Sequence, residues 1–189
     1  MSVLELLENR RALRNYQPAP VEREKIEKLL YAATLAPNDK NREPWSFYVI
    51  QGKAKQGYEQ LAYDYLLERF PAKPKLVEAS MKVVQATPAM IVVASDIAEN
   101  DDEATVDNEY AACCAIHSMW LAAEELGLGF VWRTRGVGLV RDRRLYEFIG
   151  SPANKKIVGT VFFGYPDPEE QEKLKPKSRI DFKEKTKWL

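Results

Sequence analysis

The run VDNEYAACCAIHSMWLAAEEL at residues 106–126, closed by Gly127, decides how this chain folds. It is dense in good helix formers and reads as a helix about 31 Å long. Gly127 ends it, because glycine accepts the left-handed conformation that closes a helix. From Ala111 to Ala122 apolar residues fall almost all round the axis. Such a helix is expected to be buried on most sides, either centrally or against a partner subunit.

Shorter elements lie on both sides of it. Downstream, 129–134 (GFVWRT) and 157–164 (IVGTVFFG) read as strands, with a short helix over 141–149 between them. Upstream, 89–95 (AMIVVAS) is a continuous apolar run, the mark of a strand covered on both faces. Residues 45–51 (WSFYVIQ) form another strand. Tyr58, Leu61, Ala62, Tyr65 and Leu66 mark a helix, and Ile26, Leu29, Leu30 and Ala33 mark one between Pro20 and Pro37. Val3 to Asn9 reads as a short helix before Pro18 and Pro20. Helices and strands alternate irregularly, so the fold class is α+β. The polar stretch 165–189, interrupted by Pro166, Pro168 and Pro176, is too poor in apolar residues to fold alone. It is expected to wrap the body or a second subunit.

The chain has 189 residues, which suits one domain over 1–189. Its 28 Lys and Arg balance 28 Asp and Glu, which argues against an overall nucleic-acid footprint. No apolar stretch reaches membrane-spanning length, and the first residues lack a leader's apolar segment. Only two cysteines occur, Cys113 and Cys114, and neighbours cannot close a useful loop. A reducing, cytoplasmic setting is the expectation. With His117 they form a soft-ligand cluster too small for a zinc shell, so no metal site is expected and the cysteines read as inert members of a buried helix.

Three segments carry chemistry. Arg10, Arg11 and Arg14 put three guanidiniums in five residues, and Arg10 and Arg14 converge on one anion if the stretch is helical. The loop 37–45 sets Asn38, Asp39, Asn41 and Glu43 on a frame bracketed by Pro37 and Pro44, polar groups that suit the edge of a planar heterocycle. Trp132-Arg133-Thr134 ends a strand with a cation beside an aromatic ring. Each also has a plain reading: a solvated helix end, a helix-to-strand connection, a strand end with snorkelling side chains. The glycine clusters at 127–129 and 136–138 lack both the third glycine and the leading βαβ unit of a dinucleotide loop.

Together these segments resemble the FMN-dependent nitroreductase family, above all its small single-domain members. The resemblance rests on NRRALRNYQPAPV (9–21), LAPNDKNREPWSFYVI (35–50), the long apolar helix, GLGFVWRTRG (127–136) and KIVGTVFFGYP (156–166). It implies a central mixed sheet flanked by helices and an intertwined homodimer with FMN at the interface. It implies that Arg10, Arg11, Ala12 and Arg14 grip the phosphate and ribityl chain. Pro37, Asn38 and Asn41 would reach the flavin from the other subunit. Trp132, Arg133 and Thr134 would edge the ring, and Lys177 and Arg179 would reach the phosphate. The family usually has Ser at the position of Ala12, Ser near Asn38 and Gln where Glu43 stands. The implied activity is hydride transfer from NADH or NADPH through flavin to nitroaromatic, quinone or related acceptors, with no protein nucleophile required. The alternatives are an FMN ene reductase or dehalogenase on this scaffold, and a dimeric flavin- or ligand-binding protein without turnover.

Overall fold

The computed structural model describes residues 2–174 and 177–189. Along them run helices α1 (Val3–Asn9), α2 (Arg23–Thr34), α3 (Lys53–Arg69), α4 (Pro74–Ala86), α5 (Asp102–Glu125), α6 (Arg143–Phe148) and α7 (Pro168–Glu172), with strands β1 (Trp45–Gln51), β2 (Ala89–Asp96), β3 (Gly129–Arg133) and β4 (Lys155–Gly164). The sheet order is β1-β2-β4-β3, and neighbouring strands pair antiparallel. The expected mixed character reduces to a parallel bridge between Ala12 and Phe130 at the β3 edge.

Strand β2 shows why the molecule is layered. Successive side chains of a strand point to opposite faces. Met90, Val92 and Ala94 enter one core, with Tyr58, Leu66, Val77, Val84 and Leu145. Ala89, Ile91 and Val93 enter the other, with Ile26, Leu29, Ile116 and Met119. The apolar run is therefore continuous because both faces are covered: α3, α4 and α6 lie on one side, α2 and α5 on the other. Helix α4 is missing from the sequence reading, although Val77, Met81 and Val84 fall on one face and Pro74 opens its first turn.

Helix α5 starts where Asp101 caps the amide of Ala104 at 2.8 Å. It ends at Gly127, whose φ is +70°. Its buried face is mostly alanine, which lets α2 and the sheet approach closely. The expectation of burial on most sides fails for a single chain. Tyr110 is 64% exposed, Val106, Cys114 and His117 are exposed, and Cys113 is half-buried. The cause is that the neighbours on this chain cover one face of the cylinder only.

The tail is partly docked on its own chain. Gln17 donates its amide to the carbonyl of Tyr165, Tyr16 bridges Pro166, and α7 lies against the N-terminal segment. Beyond it Ile180, Phe182 and Trp188 are exposed, Trp188 at 88%. Pro176 lies outside the described residues.

Strands β3 and β4 meet through Gly159, where any added β-carbon would fall into the indole of Trp132. Gly159→Ala is expected to overpack this contact at about 1–3 kcal/mol. With about 2–4 °C lost per kcal/mol at this size, the melting temperature drops by roughly 2–12 °C and the tryptophan emission shifts. An unchanged melt and spectrum would contradict the packing described.

Candidate functional site

The site is built around the N-terminal segment that follows α1. The Ser2 hydroxyl accepts the Glu5 amide at 3.2 Å while the Glu5 carboxylate accepts the Ser2 amide at 2.6 Å, a reciprocal cap that starts the helix. The helix stops at Arg10, and from there the chain is extended rather than helical. The i, i+4 convergence of Arg10 and Arg14 is therefore not how these arginines are arranged. The extended stretch is held by the Ala12–Phe130 bridge and by the Tyr16 hydroxyl, which lies 2.7 Å from the Leu13 carbonyl and 2.9 Å from that of Phe162. Burial pushes the Tyr16 phenol well above its ordinary pKa.

Two groups of cations result. The first gathers Arg10, Arg11 and Lys177 around Glu124 of α5, with Arg179 beside Arg10 and Lys177. The Arg10 guanidinium stacks 4.1 Å from the Trp120 ring centre. The Glu124 carboxylate accepts the Arg11 amide at 3.3 Å. Arg11 turns its side chain back, donating to the carbonyls of Glu8, Asn9 and Arg10 at 2.7, 2.9 and 3.2 Å, a cation on the end of α1. Lys177 donates to the Arg10 carbonyl. Burial first, then Arg10, Arg11 and Arg179, push the Lys177 ammonium down to about 8. Burial raises Glu124 despite the surrounding cations. One carboxylate stands among four cations, so the cluster is short of negative charge.

The second group joins Arg14 to Arg133 at the end of β3. Arg133 lies 4.9 Å from the ring centre of Phe162 and is lowered from its ordinary pKa, chiefly by burial, with Arg14 adding to the shift. The turn 136–138 closes on it. A side chain at Gly138 would strike the Arg133 β-carbon at 2.8 Å. Tyr58 and Thr160 tie this turn down through the carbonyls of Val137 (2.6 Å) and Gly138 (2.7 Å). Three buried nitrogens here and in the first group, Trp132 Nε1, Arg133 Nε and Arg11 Nε, have no hydrogen-bond partner among the described residues. The Trp132 nitrogen is packed against Gly159 of β4, but buried donors in a finished protein are nearly always paired, so Arg133 Nε and Arg11 Nε mark places where a partner belongs.

The third segment lies elsewhere. Asn38 accepts the Glu43 amide at 2.9 Å and Arg42 pairs with Asp39, so these polar groups hold the loop in shape. Lys40, Asn41 and Glu43 all have φ near +50°, an unusual series for non-glycine residues. Pro37, Asn38 and Asp39 line a hollow with Asp107, Tyr110 and Cys114 on the exposed face of α5. Trp120 and Glu124, which carry the first cation group, lie further along the same helix, about 9 Å (Cys114 to Trp120) to about 25 Å (Asp107 to Glu124) from the residues of this hollow. One chain thus unites 10–14, 132–134, 177 and 179 but leaves 37–41 apart.

Sequence reasoning did not find Trp120, Tyr16, Glu124 or Glu170. Glu124 reads as an ordinary acid at a helix end, and its partner is 113 residues distant. Glu170, whose carboxylate accepts the amides of Arg14 and Asn15 at 3.1 and 2.7 Å, reads as part of a polar tail.

A family model described as "Nitroreductase family" matches residues 7–165. The chain belongs to the nitroreductase family. The Escherichia coli K12 protein named "Putative NAD(P)H nitroreductase YdjA" is 30% identical over 167 residues, 88% of this chain and 89% of that protein. Among solved structures, a nitroreductase-like family protein from Bacillus cereus is 27% identical, with a TM-score of 0.84 over 100% of this chain and 96% of its own. A nitroreductase with bound FMN from Bacteroides fragilis NCTC 9343 has the same fold, with a TM-score of 0.73 at 22% identity over 96% of each chain. For this nitroreductase family member the α+β fold follows. No helix among the described residues is long and apolar enough to cross a membrane.

The lowered Lys177 gives a pH signature. Its folded value of about 8 lies below the ordinary 10.5, so between these limits the unfolded chain binds more protons and stability rises with pH. In anion-free buffer, the stability of the wild type relative to Lys177→Gln should climb from pH 8 to pH 10.5. A flat or falling difference in paired thermal melts would show that Lys177 is not buried among like charges.

Proposed function

We propose that this protein is an FMN-dependent oxidoreductase that passes hydride from NADH or NADPH to nitroaromatic, quinone or related acceptors, working as a homodimer. The observation that carries the reading is the pair of cation groups flanking the end of β3, the first with one carboxylate among four cations, the second with an unpartnered donor on the buried Arg133. A phosphorylated, planar, hydrogen-bonding cofactor meets each of these deficits. Membership in the nitroreductase family, and the FMN bound by the B. fragilis neighbour, support the choice of FMN.

Arg10, Lys177 and Arg179 would hold the phosphate, because they are mutually facing cations with Glu124 as the one carboxylate beside them. Arg11 contributes charge, but its Nη1 is committed to the end of α1. Ala12 lacks a side-chain hydroxyl and contributes only backbone. Trp132, Arg133 and Thr134 would edge the ring with Arg14 behind them. FMN, when bound, supplies the hydride chemistry. Arg133 would stabilise negative charge on a group held beside it, and burial would strengthen that effect because little water screens it.

The exposed face of α5 supports the dimer. Val106 and Tyr110 on α5, with Tyr31 on α2 and Leu35 just after it, leave large apolar side chains uncovered. An antiparallel pairing of two α5 helices would bring the 37–41 loop of one copy to the Arg10–Glu124 end of the other. That supports the roles of Pro37, Asn38 and Asn41 implied by the family resemblance, in spite of their separation within one chain.

The visible spectrum of the purified protein, and its bleaching by NADH or NADPH, tests the cofactor and donor together. Steady NAD(P)H oxidation with an added nitroaromatic or quinone tests turnover. Charged hydrogen bonds contribute about 1.5–3 kcal/mol, so Arg179→Ala should weaken FMN roughly 10–100-fold. Riboflavin, which lacks the phosphate, should bind the variant as it binds wild type. Equal losses for both ligands would remove Arg179 from the phosphate. In sedimentation, wild type should run as a dimer at micromolar concentration. Tyr110→Asp should shift it towards monomer and lower flavin occupancy, and a folded wild-type monomer would defeat the dimer.

A further inference from the structure

A second positively charged hollow adjoins the strand end and takes no part in the scheme above. It encloses about 530 Å³ between α3, the turn after β3 and the start of α6, within the range of small-molecule sites. Arg69, Arg135 and Arg141 line it, together with Tyr65, Thr134, Leu139 and one carboxylate, Asp142. Thr134 belongs both to this hollow and to the strand end proposed to edge the flavin.

The acids that could neutralise these arginines are already engaged. Arg144 donates to both oxygens of Glu68 at 2.9 and 3.0 Å, and to both oxygens of Asp142 at 2.9 and 2.7 Å. That guanidinium holds the Asp142 carboxyl below its ordinary range. Among the described residues, no side chain pairs with Arg69, Arg135 or Arg141. Three like charges around one concavity focus a positive potential into it.

The backbone there is also constrained. Leu139 is buried yet has φ +53°, and Gly136 has φ +58°. A bulky residue in the left-handed region is rare and is retained only where the surroundings hold it. The Leu139 amide bonds the Gly136 carbonyl at 2.9 Å, closing a tight turn that brings Arg135 and Arg141 to the same hollow.

We infer that this hollow is an anion subsite, taking a phosphate or carboxylate carried by the molecule that exchanges electrons at the strand end. The inference rests on the oxidoreductase reading for its purpose, though not for its charge. Two sources share this chemistry: the 2′-phosphate of NADPH, and the acid group of an aromatic acceptor. The guanidinium fork suits either, because it offers paired donors to two oxygens.

Calorimetric titration of the purified protein with two probe pairs tests it. Adenosine 2′,5′-bisphosphate against 5′-AMP isolates the 2′-phosphate, and 4-nitrobenzoate against 4-nitrobenzamide isolates the carboxylate. One pair should show at least a tenfold preference for the probe with the added anionic group, and which pair does so names the source. Arg135→Ala and Arg141→Ala should each reduce that preference about tenfold while leaving 5′-AMP or the amide unaffected. Both arginines are exposed, so neither change should disturb folding. No preference in either pair, or a preference that survives all three of Arg69→Ala, Arg135→Ala and Arg141→Ala, would overturn the subsite. FMN titration of the same samples separates the two claims. FMN binding without anion preference defeats the subsite alone, and anion preference without FMN binding defeats the oxidoreductase reading while keeping the subsite.

Discussion

The seating of residues 11–17 against the β3–β4 edge is the constraint on which the site depends. Tyr16 is 5% exposed, and its hydroxyl reaches the carbonyls of Leu13 and Phe162. A buried phenol needs such a partner, because leaving the hydroxyl unbonded would cost about 1–3 kcal/mol. The Ala12–Phe130 bridge and the Gln17–Tyr165 bond secure the two ends of the same stretch. Gly129 and Gly164 leave room for it, since a side chain at either would crowd Tyr16. Once this segment is laid down, Arg10 and Arg11 face α5 while Arg14 faces Arg133. The division of cations into two groups follows from backbone direction rather than from choice of residue type.

Charge at these groups is deliberately unbalanced only locally. The chain is neutral overall, with 28 cations and 28 anions. Several surface cations have partners at helical spacing, such as Arg23 with Glu27 and Arg143 with Glu147. Such exposed pairs contribute little to stability. Unpaired positive charge gathers around Arg69, Arg135 and Arg141, and also where Arg10, Lys177, Arg179 and Arg133 lie. There burial raises its electrostatic effect, as the lowered pKa values of Lys177 and Arg133 record.

The long helix links packing to function. Its alanine face is committed to α2 and the sheet, and its C-terminal half carries Trp120 and Glu124 into the first cation group. The remaining face, with Tyr110 and Cys114, borders the 37–41 loop. A thiol on that face is open to solvent in the single chain, whereas burial raises the pKa of Cys113 beside it. The inert behaviour expected of both cysteines therefore holds for Cys114 only where a second copy covers it.

Much of the architecture is legible from residue order. The four strands appear at their sequence positions because each is a short apolar run bounded by turn formers, and α5 because no other element accommodates 24 helix-forming residues. Family membership is legible too, since the motifs at 9–21, 35–50 and 127–136 occur in order across the chain. Helix α4 is legible in principle, since Val77, Met81 and Val84 repeat at helical spacing behind Pro74, yet it is missing from the sequence reading. What residue order could not supply was which charges face one another. Arg10 and Arg14 are four residues apart yet belong to different groups, because the chain between them is extended. Arg11 meets Glu124 across 113 residues, and Arg144 alone withdraws Glu68 and Asp142 from three neighbouring arginines. Local periodicity determines which residues are buried, but electrostatic balance is a sum over everything nearby in space, and only the tertiary structure decides what is nearby.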